Sequence, residues 1–188
     1  GSGDGQFYNM GGVFIGKGSG RPKPKTAEAP VYVIDAKRVI RTDQTGNFPK
    51  TLTGPSREYH ASLPSGWYLG ATTGVAVDSK GNVWVASSRA NVLSKLAPDG
   101  TLLKTWRGEA GCGRSWPRGW HECPEGEFAM PFGVAVDSKD NVYVSDIFNG
   151  RITKLDSSGN FILRWINGLV RIPGPHPDSG FPSTGTFG

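Results

Sequence analysis

The sequence lacks the features that build membrane-spanning and helical proteins. It has no apolar run of 18 residues, so no transmembrane helix is predicted. No apolar stripe recurs with the helical period of 3.6 residues, which argues against a helical bundle. No secretion signal is recognisable, although a mature chain would have lost one. These absences leave a chain built mainly from strands and turns.

Turn-forming residues, by contrast, are abundant. The 188 residues include 28 glycines and 14 prolines, and 36% of the residues are hydrophobic. This hydrophobic content and length are enough for a sizeable core. High glycine and proline contents are typical of turn-rich, all-β domains. The composition therefore favours an all-β fold.

One stretch of the chain is written twice. Residues 74–85 read GVAVDSKGNVWV, and residues 133–144 read GVAVDSKDNVYV, a displacement of 59 positions. The same displacement aligns Lys95 with Lys154 and Trp106 with Trp165 without a gap. Self-similarity at a fixed period of this size indicates a repeat architecture.

Each repeat encodes four short strands. The third repeat alternates β-rich runs with turn formers such as Ser-Lys-Asp-Asn and Ser-Ser-Gly-Asn. Its strands are predicted at residues 133–137, 142–146, 151–156 and 161–166. An isolated four-stranded meander exposes its faces and edges, so it has to stack against copies of itself. Radial stacking of such sheets predicts a β-propeller with four-stranded antiparallel blades.

The residues of the repeat also resemble the NHL repeat. The resemblance rests on Gly-Val-Ala-Val-Asp, Asn-Val-Tyr-Val-Ser-Asp, Asn-Gly-Arg-Ile and Lys-Leu-Asp of the third repeat. Gly150 stands where the family often has histidine, and the second repeat departs from the pattern at residues 88–91. The resemblance implies an NHL-type β-propeller. It implies little about activity, because one fold carries many functions.

Three blades are expected in the chain. Residues 1–54 form a degenerate first blade with a Gly/Pro/Lys-rich insertion at 17–30. Its strands are predicted at 12–16, 31–35, 38–43 and 48–53. Residues 55–108 hold a connector and the second blade, with strands at 74–78, 83–87, 92–97 and 102–107. A Cys-containing connector and the third blade occupy 109–168, and a Pro/Gly-rich connector toward a further blade occupies 169–188.

Three blades are too few to close a ring, because propellers have four to eight. The preferred interpretation is half of a six-bladed ring within a longer protein. The alternative is a second copy of the chain that closes the ring.

Cys112 and Cys123 are the only cysteines and share one connector. The preferred interpretation is a disulfide between them, which predicts an extracellular, cell-surface or periplasmic location. Two free thiols or half of a metal site remain alternatives. The spacing is not Cys-x-x-Cys, which makes a zinc site a weak hypothesis.

The connectors and the turns after the second strands are expected to meet at one end of the propeller, here called the connector end. Aromatic and arginine side chains on a rigid frame are typical of binding surfaces. The candidate binding residues at this end are Trp67, Tyr68, Arg89, Arg114, Trp116, Arg118, Trp120, His121, Phe148 and Asn149. The alternative role for the tryptophans is to cover the end of the propeller.

The expected function is a protein- or glycan-binding scaffold module, with no cofactor and no metal. The net charge of +5 could suit RNA, but the lysines and arginines are scattered, so nucleic-acid binding is not favoured.

The alternative is part of a propeller enzyme of the amidating-lyase or lactonase type. The resemblance to such enzymes implies zinc-binding histidines at strand starts, often just before the glycine of the first strand, where this chain has Thr73 and Phe132. Any metal ligands would then lie mostly outside this chain, and no catalytic residue is assigned.

Overall fold

The chain folds into antiparallel sheets. The computed structural model describes residues 10–15, 30–35, 38–43, 45, 50–53, 72–88, 90–107, 125–166 and 169–171. All regular structure in these residues is β-strand. None of the described residues belongs to a helix long and apolar enough to cross a membrane. The predicted all-β class is confirmed.

Three successive meanders make up the three blades. The first blade contains β1 (Met10–Ile15), β2 (Val31–Asp35), β3 (Arg38–Thr42) and β4 (Lys50–Thr53). The second contains β5 (Thr72–Val77), β6 (Val83–Ser87), β7 (Val92–Leu96) and β8 (Leu102–Arg107). The third contains β9 (Pro131–Val136), β10 (Val142–Asp146), β11 (Arg151–Leu155) and β12 (Phe161–Ile166). Consecutive strands pair antiparallel within each blade, as predicted.

The first strands of the second and third blades begin two residues earlier than the sequence predicts. Thr72 pairs with Ser87, and Pro131 pairs with Asp146, each beyond an irregularity in the register. Because of this β-bulge, each strand extends on the N-terminal side of the glycine, Gly74 or Gly133, at which the sequence predicts it to begin. A short strand that the sequence does not predict, β13 (Leu169–Arg171), adds to the edge of the third sheet by pairing with β12.

An aspartate closes the turn between the first two strands of the second and third blades. Asp78 and Asp137 each accept the backbone N–H two residues and four residues further on. The asparagine at the fourth position, Asn82 or Asn141, also donates its side-chain amide to the same carboxylate. Asp side chains that accept turn amides in this way fix the conformation of the turn.

Two apolar clusters join the blades. The first cluster packs Tyr32, Ile34, Val39 and Leu52 of the first blade against the second blade. The second cluster packs the second blade against the third and contains Trp84, Leu93, Trp106, Phe128, Val142, Val144 and Leu155. Trp84 and Trp106 stack with ring centroids 5.0 Å apart. Trp106 therefore packs between the second and third blades.

Glycines allow the blades to approach closely at the turn between the third and fourth strands. Gly100 and Gly159 occupy equivalent positions and adopt φ values of +90° and +81°. A Cβ atom on Gly100 would lie 2.8 Å from the carbonyl oxygen of Leu52. A Cβ atom on Gly159 would lie 1.8 Å from the Trp106 ring. Each of these turns therefore rests directly on the last strand of the preceding blade.

Candidate functional site

Two of the predicted binding residues, Phe148 and Asn149, fall within the described part of the chain. Both lie in the turn of residues 147–150, between β10 and β11. The remaining candidates lie outside the described residues: Trp67, Tyr68, Arg89, Arg114, Trp116, Arg118, Trp120 and His121. Cys112 and Cys123, the predicted disulfide, also lie outside them. The described part of the candidate site therefore lies mainly on the third blade.

The turn and the connector of the third blade meet, as the sequence predicts. The backbone N–H of Ile147 donates to the carbonyl of Met130 at 3.3 Å, and that of Phe148 donates to the carbonyl of Ala129 at 3.1 Å. The end of the connector and the turn after β10 are thus joined by two backbone hydrogen bonds. This contact places both segments at the same end of the blade.

A buried carboxylate holds this junction together. Asp146, at the end of β10, accepts hydrogen bonds from the Ala129 backbone N–H (2.7 Å), the Asn149 side-chain amide (2.7 Å) and Nε of Arg151 (2.9 Å). Arg151 also donates to the carbonyl of Glu127. Asp146 is 1% exposed and Arg151 is 4% exposed. One carboxylate therefore links the connector, the turn and β11.

Burial raises the pKa of Asp146, while the hydrogen bonds and the charge of Arg151 act to lower it. A buried, hydrogen-bonded ion pair of this kind is costly to break, because removing one partner leaves an uncompensated charge. The pair is thus a rigid element of the scaffold.

The second blade supports the same connector from the other side. Asn91, in the turn between β6 and β7, accepts the backbone N–H of Met130 through its side-chain oxygen at 2.7 Å. Both Asn91 and Met130 adopt left-handed backbone conformations, with φ values of 53° and 59°. The connector is therefore clamped between two turns. The 59-residue displacement does not predict this role of Asn91, because the two blades differ at this turn. The second blade has Ser87 and Val92 where the third has Asp146 and Arg151.

The tip of the clamped turn is apolar and exposed. Ile147 and Phe148 are each 46% exposed, whereas Asn149 is only 7% exposed because its amide binds Asp146. The structure therefore presents Phe148 to solvent and uses Asn149 internally. Ile147 was missed by sequence reasoning, although an isoleucine among turn formers is an available signal. Two neighbouring apolar side chains on a fixed turn form a surface able to contact a partner.

The positions that hold zinc-binding histidines in amidating lyases carry other chemistry here. The hydroxyl of Thr73 donates to the carbonyls of Ala86 (3.5 Å) and Pro131 (3.3 Å), and the side chain of Phe132 is 45% exposed. Within the described ranges, no three His, Cys, Asp or Glu side chains are grouped to hold a metal ion. His60, His121 and His176 lie outside those ranges.

The opposite end of the blades carries polar turns. Ser79 of the second blade donates its backbone N–H to Asp140 of the third at 2.8 Å, and Lys95 donates to the carbonyl of Ser157 at 2.8 Å. Ser79, Lys80 and Ser138 are exposed there. These hydrogen bonds join neighbouring blades, so this end contributes to the scaffold, and the described turns of the second and third blades present no large exposed hydrophobic side chain there.

The comparisons with known proteins support the fold. No protein-family model matches the chain, and no curated protein matches it. Among solved structures, virginiamycin B lyase from Staphylococcus aureus matches with a TM-score of 0.50 at 14% identity, over 88% of this chain and 42% of that chain.

Two further solved structures also match. The RRP9 WD40 repeats give a TM-score of 0.55 at 10% identity, over 87% of this chain and 40% of that one. The U3-55K structure gives 0.56 at 9% identity, over 87% and 41%. This chain thus spans about two fifths of the length of each of these three proteins. At these identities the similarity concerns the fold alone, and the chain is three blades of a β-propeller.

Proposed function

We propose that this chain is part of an NHL-type propeller that binds a protein partner through the connector end of its third blade. The observation that carries the proposal is the exposed pair Ile147 and Phe148 on a turn anchored by the buried Asp146. The NHL assignment is supported by the repeat residues, among them Asp146, Asn149 and Arg151, which form the buried cluster.

Rigidity is the physical reason to expect binding at this turn. Ordering a loop on association costs free energy, and a loop that is already fixed avoids that cost. The turn is fixed by two backbone hydrogen bonds to the connector and by the Asp146 cluster. Large apolar anchors in such positions account for much of the affinity of protein interfaces.

A protein partner suits this surface better than a glycan. Two adjacent apolar side chains, one aliphatic and one aromatic, bury area against an apolar pocket, whereas a sugar also needs several polar donors. Arg89, Trp116 and Trp120 are predicted to extend the same surface. An extracellular or periplasmic location with a Cys112–Cys123 disulfide remains part of this proposal and rests on the sequence.

The test selects peptide ligands for the chain from a phage-displayed library and screens the chain in parallel on a glycan array. The affinity of a selected peptide is then compared for the wild type, Phe148→Ala and Leu103→Ala. Leu103 is the matched control, because it is an apolar side chain 52% exposed on β8. We expect Phe148→Ala to weaken binding by at least about tenfold and Leu103→Ala to leave it unchanged.

Equal effects of the two substitutions would contradict the proposed surface. Binding to the glycan array alone, with no selected peptide, would replace the protein partner with a glycan. The alternative of a propeller enzyme has no observation among the described residues that favours it.

A further inference from the structure

The turn after β10 contains an asparagine followed by glycine, the pair Asn149–Gly150. Asparagine is a thermolabile residue. A following glycine favours its deamidation, because glycine has no side chain to hinder attack by its own backbone nitrogen and bends easily toward the carboxamide. We propose that Asn149 is a deamidation site that the folded blade keeps unreactive and that unfolding of the blade opens to irreversible conversion. The inference does not depend on the proposed binding function.

The reaction has two steps and consumes only water. In the first, the backbone nitrogen of Gly150 gives its proton to solvent and bonds to Cγ of Asn149. The carboxamide C–N bond breaks, and the carboxamide nitrogen takes up a proton and leaves as ammonia, so that a succinimide ring is formed. In the second step, water adds to one of the two ring carbonyls and opens the ring. The product is aspartate or isoaspartate at position 149, with a new negative charge.

Hydrogen bonds hold both reacting groups in the folded blade. The backbone N–H of Gly150 donates to the carbonyl of Ile147 at 3.0 Å, which closes the turn of residues 147–150. The carboxamide of Asn149 donates to the Asp146 carboxylate at 2.7 Å, and Asn149 is 7% exposed. Packing does not shield Gly150, since a Cβ atom there would meet nothing within 4 Å. The protection of the site therefore comes from the two hydrogen bonds, and both have to break before the reaction.

The rest of the junction opposes local opening of the turn. Exposed turns open at little free-energy cost when few contacts hold them. Here the backbone N–H groups of Ile147 and Phe148 are bonded to the connector, and Asp146 is also bonded to Ala129 and Arg151. Release of Asn149 from Asp146 thus disturbs the contact between connector and turn. Opening of the site is therefore coupled to loss of the ordered end of the blade.

The product cannot rebuild the junction. Aspartate at position 149 lacks the amide that donates to Asp146, and it brings a second carboxylate against a buried one that is already paired with Arg151. Isoaspartate also routes the backbone through the side-chain carbon, which lengthens the turn. A chain that has reacted while unfolded therefore refolds with a weakened third blade, and the change is not reversed by refolding.

The test compares deamidation in the intact chain with deamidation in a free peptide. The wild-type chain and a synthetic peptide of residues 140–151 are incubated in the same mildly alkaline buffer. Trypsin then releases the same peptide from the chain, because Lys139 precedes it and Arg151 ends it. Mass spectrometry with fragmentation measures conversion at Asn149 separately from Asn141. We expect conversion at Asn149 to be at least about tenfold slower in the folded chain, since the open turn is a minor state.

A second Asn-Gly pair provides a control within the same molecule. Asn167–Gly168 falls in a separate tryptic peptide, residues 165–171. In urea that unfolds the chain, Asn149 should convert at a rate similar to that of Asn167. Gly150→Asn should slow conversion at Asn149 in urea, because its side chain hinders the attack. Asparagine tolerates the left-handed backbone at this position, as Asn91 does in the second blade.

Asn149→Asp reproduces one product directly. It should lower the urea concentration at the midpoint of unfolding. Asn149→Ser removes the amide without adding a charge and should lower the midpoint less. Conversion at Asn149 as fast in the folded chain as in the free peptide would overturn the proposed protection, and this measurement needs no variant. An Asn149→Asp chain as stable as the wild type would overturn the proposed consequence.

Discussion

Substitution of Gly159 by alanine probes directly how the third blade stacks on the second. Gly159 has a φ of +81°, and its added Cβ would lie 1.8 Å from ring atom Cζ2 of Trp106, which is 8% exposed. The left-handed backbone conformation costs an alanine about 1–2 kcal/mol. Displacing a packed indole adds about 1–3 kcal/mol of overpacking. We therefore expect Gly159→Ala to lower the free energy of unfolding by about 2–5 kcal/mol.

Gly150 supplies the matched control. Its φ is +57°, and a Cβ there would meet nothing within 4 Å, so Gly150→Ala incurs only the backbone cost. Urea denaturation of the wild type and both variants measures the difference, which we expect to be at least about 1 kcal/mol. The clash should be relieved when Trp106 is replaced by leucine, so Gly159→Ala should lower the free energy of unfolding less in the Trp106→Leu background than in the wild type. If Gly159→Ala and Gly150→Ala destabilise equally, Trp106 does not pack on that turn and the stacking of these blades is wrong.

Two other predictions concern acid stability and the cysteines. Hydrogen bonds from Asn141, Lys139 and Tyr143 outweigh the effect of burial and hold the pKa of Asp137 well below its usual value. Because the folded-state pKa of Asp137 is lowered, its ionised carboxylate stabilises the protein at pH values above the unfolded-state pKa of about 3.9. This stabilisation is lost as the pH falls toward the folded-state pKa. Asp137→Asn should therefore be less stable at pH 7, and its free energy of unfolding should fall less steeply from pH 5 to pH 2. The free energies of unfolding are measured by urea denaturation at each pH. If they fall in parallel for the wild type and Asp137→Asn, this role of Asp137 is contradicted. For Cys112 and Cys123, thiol titration of the denatured, unreduced protein should find no reactive thiol, whereas two per chain would refute the disulfide and weaken the extracellular assignment.

The repeat displacement predicted much of the fold because the strands of a blade are local. Twelve of the predicted strands lie within two residues of those observed, including Val142–Asp146 and Phe161–Ile166, which match in full. The turn aspartates Asp78 and Asp137 both accept turn amides, as is usual for an aspartate at the end of a strand. The alternation of polar and apolar side chains and the turn-forming residues are patterns of four or five consecutive residues, so they can be read directly from the sequence.

Contacts between repeats were harder to predict. The support of Met130 by Asn91 joins residues 39 positions apart and has no counterpart in the repeat pattern. The strand Leu169–Arg171 has only three residues, so its sequence is too short to show the alternation of polar and apolar side chains that indicates a strand. It is defined by its pairing with β12. Phe148 is exposed and its neighbour Asn149 is buried, a difference that accompanies the hydrogen bond from Asn149 to Asp146 and that no local pattern in the sequence indicates.

Hydrogen–deuterium exchange with a selected peptide bound tests most directly whether function lies at the connector end. We expect slower exchange in segments covering residues 127–130 and 147–150, where the connector and the turn share backbone hydrogen bonds. The polar turns at residues 79–81, 98–100, 138–140 and 157–159 should exchange as in the free protein. Protection confined to those opposite turns, with none at residues 147–150, would contradict binding at the connector end.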